Sequence, residues 1–485
     1  MPAIRPARAA GFVPAPEVLR ARRLLLGLYG LLGVTVASWL SRLPSVRDAL
    51  DLSTGALGTV LLVGAVGSLL TVLVAGQLVE RFGSRRVLLA AAVLFSAANV
   101  LLGLGPTLGS VGVLVLGVAG MSASFALGNV PMNVETAVIE RRMRRTVVPQ
   151  FHAAFSIGSV AGSGLGALAA WADVPLLVHF TAISLLTLVW RFRAVPGAVL
   201  PVDVPVAAAR TDDAGPRRRG ARMRTSLGAW RERRTLLVGV VVMTAALSEG
   251  SANSWLAIGV VDGFAQTEAV AAVCFGVFVA SMTASRVLGT RLIDRFGPVP
   301  VLGTSGVVSL VGLLLFGLAP SLPLAVLGVV GWGLGAGLAV PIGMVAVSED
   351  PLRAAGRVAV VSAFASVSSI AAPPLLGLAA EAMGVRHALL LIGVGMVVMT
   401  LLAGQVRPTG ERASAVAVVG PAPDDAPAGD GAHTPAVVVP SADELLDVAE
   451  LTAPAVAPVA VPETVGDLAP VGAESGRSRV TSGVA

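Results

Sequence analysis

Long apolar stretches recur along the chain, and short polar segments that carry most of the charge separate them. An apolar stretch of about 20 residues is long enough to cross the hydrocarbon core of a bilayer as a helix. The pattern predicts an all-α membrane protein with twelve transmembrane helices, at 22–41, 54–76, 87–105, 110–137, 150–171, 174–192, 235–259, 269–290, 299–319, 323–347, 357–380 and 385–405.

The composition favours a membrane protein over a set of soluble domains. Of the 485 residues, 55% are apolar and 13% are charged, and this balance is typical of integral membrane proteins. The single cysteine, Cys274, excludes a disulfide framework within the chain. Because the sequence contains no metal-ligand spacing, phosphate-binding loop or nucleophile motif, we expect no cofactor, no metal and no enzymatic activity.

The arginines lie mainly in alternate segments between the predicted helices, and the sequence contains no lysine. Basic residues are enriched on the cytoplasmic side of membrane proteins. This asymmetry predicts a multi-pass protein of a bacterial cell membrane, with both termini in the cytoplasm and no nucleic-acid partner. The predicted regions are a cytoplasmic arm (1–21), a first bundle (22–192), a basic linker (193–234), a second bundle (235–405) and a disordered cytoplasmic tail (406–485).

A short motif occurs twice, each time after the second helix of a six-helix half. Glu80-Arg81-Phe82-Gly83 matches Asp294-Arg295-Phe296-Gly297, and a parallel duplication is the simplest explanation. We expect the motif to gate the movement of the halves, with topological anchoring as the alternative. The gating candidates are Gly76, Glu80, Arg81, Gly83, Arg85, Arg86, Asp294, Arg295 and Gly297.

The segment GQLVERFGSRR at 76–86 resembles the loop signature of the major facilitator superfamily, with Glu80 and Ser84 as departures from it. The segments PMNVETAVIE, SEGSANSW and GWGLGAGLAVPIG resemble the rhizopine-transporter-like (MosC-like) branch. Ser254 stands where that branch often has an acid. The resemblance implies two six-helix bundles around a central cavity, which rock to expose a site at mid-membrane alternately to each side.

Glu249 is the deepest carboxylate, because no other charge lies within ten residues of it in its apolar stretch. A carboxylate at the centre of a membrane helix costs about 3 kcal/mol, so Glu249 is a candidate for proton coupling or substrate binding. A structural hydrogen bond to a neighbouring helix is the alternative. Asn253 and Trp255 of the same motif are further candidates.

Other polar residues in the predicted helices form a second set of candidates. Asn129 and Asn133 are four residues apart, so they share a helix face and can bind substrate or join helices. Glu135 and His152 lie toward the cytoplasmic end of their helices. Arg286 can pair with an acid or extend to the surface. Arg42 is an interfacial residue or a substrate contact at the outer mouth.

These features predict a secondary active transporter, a monomer that moves a small polar solute by alternating access and is driven by protons. Its expected partners are the solute, protons and the lipid bilayer. An efflux antiporter for drugs or metabolites is the alternative within this class. A non-transporting receptor or scaffold that acts through the tail is the alternative from another class.

Overall fold

The computed structural model describes residues 14–144, 147–200, 228–349 and 353–408. Most of the predicted arm and linker, and nearly all of the predicted tail, lie outside the described residues. Within those ranges every regular element is a helix. The predicted all-α membrane class is therefore confirmed for this part of the chain.

The first half contains seven helices. They are α1 (Pro16–Leu40), α2 (Leu43–Ala49), α3 (Thr54–Phe82), α4 (Ser84–Thr107), α5 (Val111–Met143), α6 (Val148–Trp171) and α7 (Leu176–Ala198). Six of them are long and apolar enough to cross a membrane. The short helix α2 was not predicted, and its seven residues are too few to span.

The second half contains eight helical pieces that correspond to six predicted spans. They are α8 (Arg233–Phe264), α9 (Glu268–Phe296), α10 (Pro298–Leu318), α11 (Leu322–Ala336), α12 (Ala339–Val347), α13 (Ala354–Met383), α14 (Val385–Leu390) and α15 (Ile392–Leu401), followed by a 3-10 turn at Ala403–Val406. Helices α11 and α12 together form one span. Eleven helices of the described residues are long and apolar enough to cross a membrane. The twelfth predicted span corresponds to a shorter apolar segment, Val385–Leu401, which is interrupted at Leu391.

The duplication inferred from the motif is visible in helices α3 and α9. Each has 29 residues, begins after a hydroxyl residue that caps its first turn (Ser53 and Thr267), and ends at a phenylalanine. Gly83 and Gly297 follow with φ of 80° and 83°. The two halves therefore repeat this helix pair in length, capping and turn geometry.

The motif itself lies differently from the sequence-based expectation. Helices α3 and α9 continue to Phe82 and Phe296, beyond the predicted ends at 76 and 290. Glu80, Arg81 and their counterparts consequently belong to the last helical turn, and only the glycines form the turn. A positive φ with extended ψ is open almost only to glycine, which explains why the turn residue is Gly in both copies.

The halves contact each other through α3 with α13 and through α6 with α9. These contacts are close because small residues allow the backbones to approach. The Ser163 hydroxyl of α6 donates to the backbone carbonyl of Ala272 at 2.5 Å, and the Thr54 hydroxyl of α3 donates to that of Gly377 at 3.0 Å. Small residues and interhelical hydrogen bonds are the usual means of helix association in a bilayer. The contact between the halves therefore has the character of an interface between membrane helices.

We predict that Gly83→Ala destabilises the protein by about 1–3 kcal/mol, because alanine is strained at this φ and ψ. An added Cβ at Gly83 has no atom within 4 Å, so the effect is purely conformational. Gly76→Ala is the matched control, since Gly76 lies in the exposed helical part of the same motif, also with nothing within 4 Å. This control should be neutral or stabilise by about 0.5–1 kcal/mol. Thermal unfolding in detergent measures both variants, and equal midpoints for the two would contradict the prediction.

Candidate functional site

An ion pair joins two helices of the second half at mid-depth. Glu249 is at the centre of α8, and its Oε2 accepts a hydrogen bond from Nη2 of Arg286 in α9 at 3.0 Å. Their side chains are 27% and 32% exposed, so both remain accessible. Each charge offsets much of the other's burial penalty. The predicted site residues Glu249 and Arg286 are therefore brought together by the fold.

The break between α11 and α12 supplies the next partner of Arg286. Its Nε donates to the backbone carbonyl of Gly337 at 3.2 Å. Gly337 lies between the two helical pieces, where its carbonyl is free to accept. An added Cβ at Gly337 would lie 2.7 Å from the backbone oxygen of Met282. The glycine thus permits the close approach to α9 that lets Arg286 contact the broken helix.

A neutral polar cluster lies in the first half. The Tyr29 hydroxyl donates to Oδ1 of Asn133 at 2.9 Å and lies 3.3 Å from the Thr136 hydroxyl. Nδ2 of Asn133 donates to Oδ1 of Asn129 at 3.3 Å. The ring of Tyr29 packs edge-on against His152, with centroids 6.0 Å apart. We refer to Tyr29, Asn129, Asn133, Thr136 and His152 as the neutral cluster.

The neutral cluster and the ion pair come from different halves, yet they are electrostatically connected. His152 is exposed, and it lies within range of the charge on Arg286. Of the neutral cluster, the His152 imidazole is therefore the group that lies near the charged guanidinium of the second half. Tyr29 was missed by sequence reasoning, although the only tyrosine of the chain inside an apolar stretch was an available signal.

The other predicted site residues at mid-depth, Asn253, Trp255 and Glu135, differ in whether they lie near Glu249. Asn253 is one helical turn from Glu249 and half-buried, so it shares the Glu249 face. Trp255 is 1% exposed and belongs to the core, because six residues from Glu249 correspond to a different face of the helix. Glu135 is 2% exposed, and Ser84 and Arg142 are its polar neighbours. Neither Trp255 nor Glu135 joins the ion pair or the neutral cluster.

At the end of the molecule where α2 lies, two ion pairs hold the two halves together. We call these two ion pairs the latch. Nη1 of Arg47 lies 2.5 Å from Oδ2 of Asp262, and Nε of Arg42 lies 2.8 Å from Oε2 of Glu268. The Ser45 hydroxyl also donates to Glu268, as does its backbone N–H at 3.0 Å. The hydrogen bond to Asp262 raises the pKa of Arg47 above its ordinary value, which keeps the guanidinium charged.

Arg42, for which the sequence left an interfacial position and a substrate contact at the outer mouth as alternatives, lies in a closed environment. It is 5% exposed, and both of its terminal nitrogens donate to the Val174 carbonyl at 3.3 Å. A third contact closes the same end, where Glu381 of α13 accepts hydrogen bonds from the Ser53 hydroxyl at 2.5 Å and the Gly55 N–H at 3.0 Å. In this structure Arg42 belongs to the closure between the halves.

The gating motifs lie at the opposite end of the helices from the latch, and their charged side chains are mostly exposed. Within the described residues, Glu80 and Asp294 form no ion pair or hydrogen bond, so the partner expected for these acids is not found there. Arg81 and Arg295 instead lie over the rings of Phe82 and Phe296, at 5.2 Å and 5.3 Å. This repeated contact is further evidence for the duplication. The described part of the chain contains no group of acids, histidines or cysteines placed to hold a metal.

Two repeated helical halves around mid-depth charged groups define a membrane transporter fold. The family model of the Major Facilitator Superfamily matches residues 24–349 and 238–440, and the chain belongs to this family.

Similar curated proteins are bacterial. An uncharacterized transporter, y4wD, of Sinorhizobium fredii is 29% identical over 375 residues, which cover 76% of this chain and 94% of that protein. Membrane protein MosC of Rhizobium meliloti is 26% identical over 369 residues, covering 76% and 85%. The similarity to the MosC-like branch is thereby confirmed.

Solved structures of transporters share the fold at low sequence identity. The nucleoside transporter NupG has a TM-score of 0.62 at 14% identity, covering 81% of this chain and 100% of that one. The D-xylose-proton symporter has a TM-score of 0.60 at 15% identity, covering 80% and 97%. These similarities establish the two-bundle architecture.

We predict that Arg47→Gln increases the population of a state open at the latch end by roughly fivefold, because a partly exposed ion pair contributes about 1 kcal/mol. Spin labels on cysteines at Thr107 and Ser321, in a Cys274→Ser background, report the distance between the halves at that end by pulsed electron resonance. Both positions are exposed.

Arg357→Gln is the matched control for this measurement. Its ion pair with Glu232, at 2.6 Å, lies within the second half and should not affect the distance between halves. The charge exchange Arg47→Glu with Asp262→Arg should restore the wild-type distribution. A wild-type distance distribution in Arg47→Gln would rule out a role of the latch in closing this end.

Proposed function

We propose that the protein is a proton-coupled secondary transporter of a small polar solute. The observation that carries the proposal is the Glu249–Arg286 ion pair, a titratable carboxylate that is partly accessible at the middle of a transmembrane helix. Membership of the Major Facilitator Superfamily and the transporter relatives support the general class. The coupling and the nature of the solute are inferred from the site.

Protonation of Glu249 would remove the charge that Arg286 neutralises. The guanidinium would then retain the Gly337 carbonyl as a partner but lose its counter-charge. An unpaired charge in a medium of low dielectric is unfavourable, so the protonation state of Glu249 would alter how α8, α9 and the broken α11–α12 span pack. This sequence of events links proton binding to a rearrangement of the second half.

We infer the solute class from the polar groups of the neutral cluster and of the ion pair. Within the described residues, the neutral cluster contributes amide, hydroxyl and imidazole groups and no formal carboxylate. The ion pair adds one positive and one negative charge, which cancel. A site with many hydrogen-bonding groups and no net charge suits a small solute that is neutral or zwitterionic.

The latch indicates which state of an alternating-access cycle this structure represents. With the latch formed, the halves are joined at the end that carries α2, where all of their hydrogen bonds and ion pairs between described residues lie. We interpret this as the state closed at the external side. Under the same proposal the motif end, the linker 193–234 and the tail 406–485 are cytoplasmic, and the protein acts as a monomer in a bacterial plasma membrane.

Proteoliposomes with an imposed pH gradient test the proposal. A hydrogen bond to a charged group contributes about 1.5–3 kcal/mol, so Glu249→Gln should reduce gradient-driven accumulation of a transported solute by at least about tenfold. Exchange of labelled for unlabelled solute without a gradient should persist. The probes are labelled polyols, amino sugars, nucleosides and amino acids, and a pH-sensitive dye inside the vesicles records proton movement.

The control is Glu17→Gln, because Glu17 is 69% exposed at the start of α1 and its ion pair with Arg142 is long, at 3.9 Å. The Glu17→Gln variant should accumulate solute to the same extent as the wild type. Gradient-dependent accumulation in Glu249→Gln equal to the wild type would refute proton coupling at this site.

The sign of the gradient that drives accumulation distinguishes uptake from export. Transport that survives deletion of residues 409–485 would exclude the receptor or scaffold alternative.

A further inference from the structure

Arg191 has an unusual position inside the first half. Its place in the sequence, beside the basic linker, groups it with the cytoplasmic arginines, but it is 7% exposed and lies within α7, among the helices of the bundle. Its guanidinium lies over the ring of Phe95, with 4.8 Å between Cζ and the ring centroid. Phe95 is at the middle of α4. The Arg191 side chain therefore extends toward the bundle interior and not toward the protein surface.

The charge on Arg191 has no counter-charge within the described residues, and its guanidinium forms no hydrogen bond to any of them. Nη2 is inaccessible and unpaired. A guanidinium stays protonated in proteins, so the charge cannot be removed by loss of a proton. Buried charges are otherwise paired or hydrogen-bonded, and the face of Phe95 compensates only a part of this one.

Arg191 lines a small cavity of about 30 Å³. The other lining residues belong to helices α1, α4, α5 and α7, and Arg191 is the only charged residue among them. The other lining residues are apolar or glycine, apart from Ser124, whose hydroxyl donates to the Gly120 carbonyl. The cavity shares no residue with the Glu249–Arg286 pair or the neutral cluster.

We propose that this cavity binds a small monovalent inorganic anion, such as chloride, as the counter-charge of Arg191. A cavity that holds one water needs about 10–15 Å³ by the same measure, so the space accommodates a halide but not a phosphate or a lipid headgroup. The largely apolar wall also favours a weakly hydrated monovalent anion over a multiply charged one. Occupancy by the anion stabilises the first half by neutralising a buried charge.

The thermal midpoint of the purified protein in detergent tests the proposal. At constant ionic strength, replacing gluconate by chloride or bromide should raise the wild-type midpoint saturably, by roughly 2 °C or more, because a ligand that binds only the folded state stabilises it. Sulfate and gluconate, which exceed the cavity, should have no such effect. Equal midpoints in all four anions would overturn the proposal and leave water as the occupant.

Arg191→Gln should abolish the difference between chloride and gluconate, whereas Arg193→Gln should preserve it. Arg193 is the matched control, because it is exposed on the same helix two residues away. A chloride effect in Arg191→Gln that equals the wild type would also overturn the proposal.

If Arg191→Gln fails to fold, Gly128→Ala replaces it. A Cβ at Gly128 would meet only the Ala91 Cβ, at an ordinary 3.5 Å, and would narrow the cavity. This variant should weaken the chloride effect, and an unchanged effect would contradict the site.

Discussion

The charge on Glu249 in a medium of low dielectric is the constraint on which the second half of the protein depends. The charge is tolerated because Arg286 lies 3.0 Å away, and Arg286 is held in turn by the carbonyl that the broken α11–α12 span exposes at Gly337. One half-buried ion pair therefore joins three spans. Arg286 is common to both contacts, so its loss would leave the Glu249 carboxylate and the Gly337 carbonyl without this partner.

The two ends of the molecule differ in how strongly the halves are joined. At one end the latch and Glu381 link α2, with its N-cap Arg42, and the start of α3 in the first half to α8, α9 and α13 of the second. Each of these contacts is polar and lies near the end of the bundle. The exposed contact of Ser53 with Glu381 contributes little by itself, whereas the Arg42–Glu268 pair is nearly buried and its loss would cost more.

Much of the fold was predictable, because few backbone conformations are stable in the hydrocarbon of a bilayer. Backbone groups in hydrocarbon must be satisfied internally, so an apolar stretch of the right length becomes a helix. The duplication followed from two copies of one motif. The helix ends and the short α2 were not predictable, because a polar residue at the membrane surface is compatible with both helix and loop. For Trp255, the spacing from Glu249 already indicated a different helix face, and the packing of neighbouring helices placed that face in the core.

The sequence by itself determined the number of spans, the internal repeat and the depth of Glu249, since these depend only on apolar length and the spacing of residues along one chain. Only the tertiary structure decided the partners. Arg286 meets Glu249, Tyr29 meets Asn133, Arg47 meets Asp262, and Arg191 lies over Phe95 inside the first half instead of at the surface. Each of these pairings joins residues that are far apart along the chain, and such proximity arises from helix packing, which local sequence patterns do not encode.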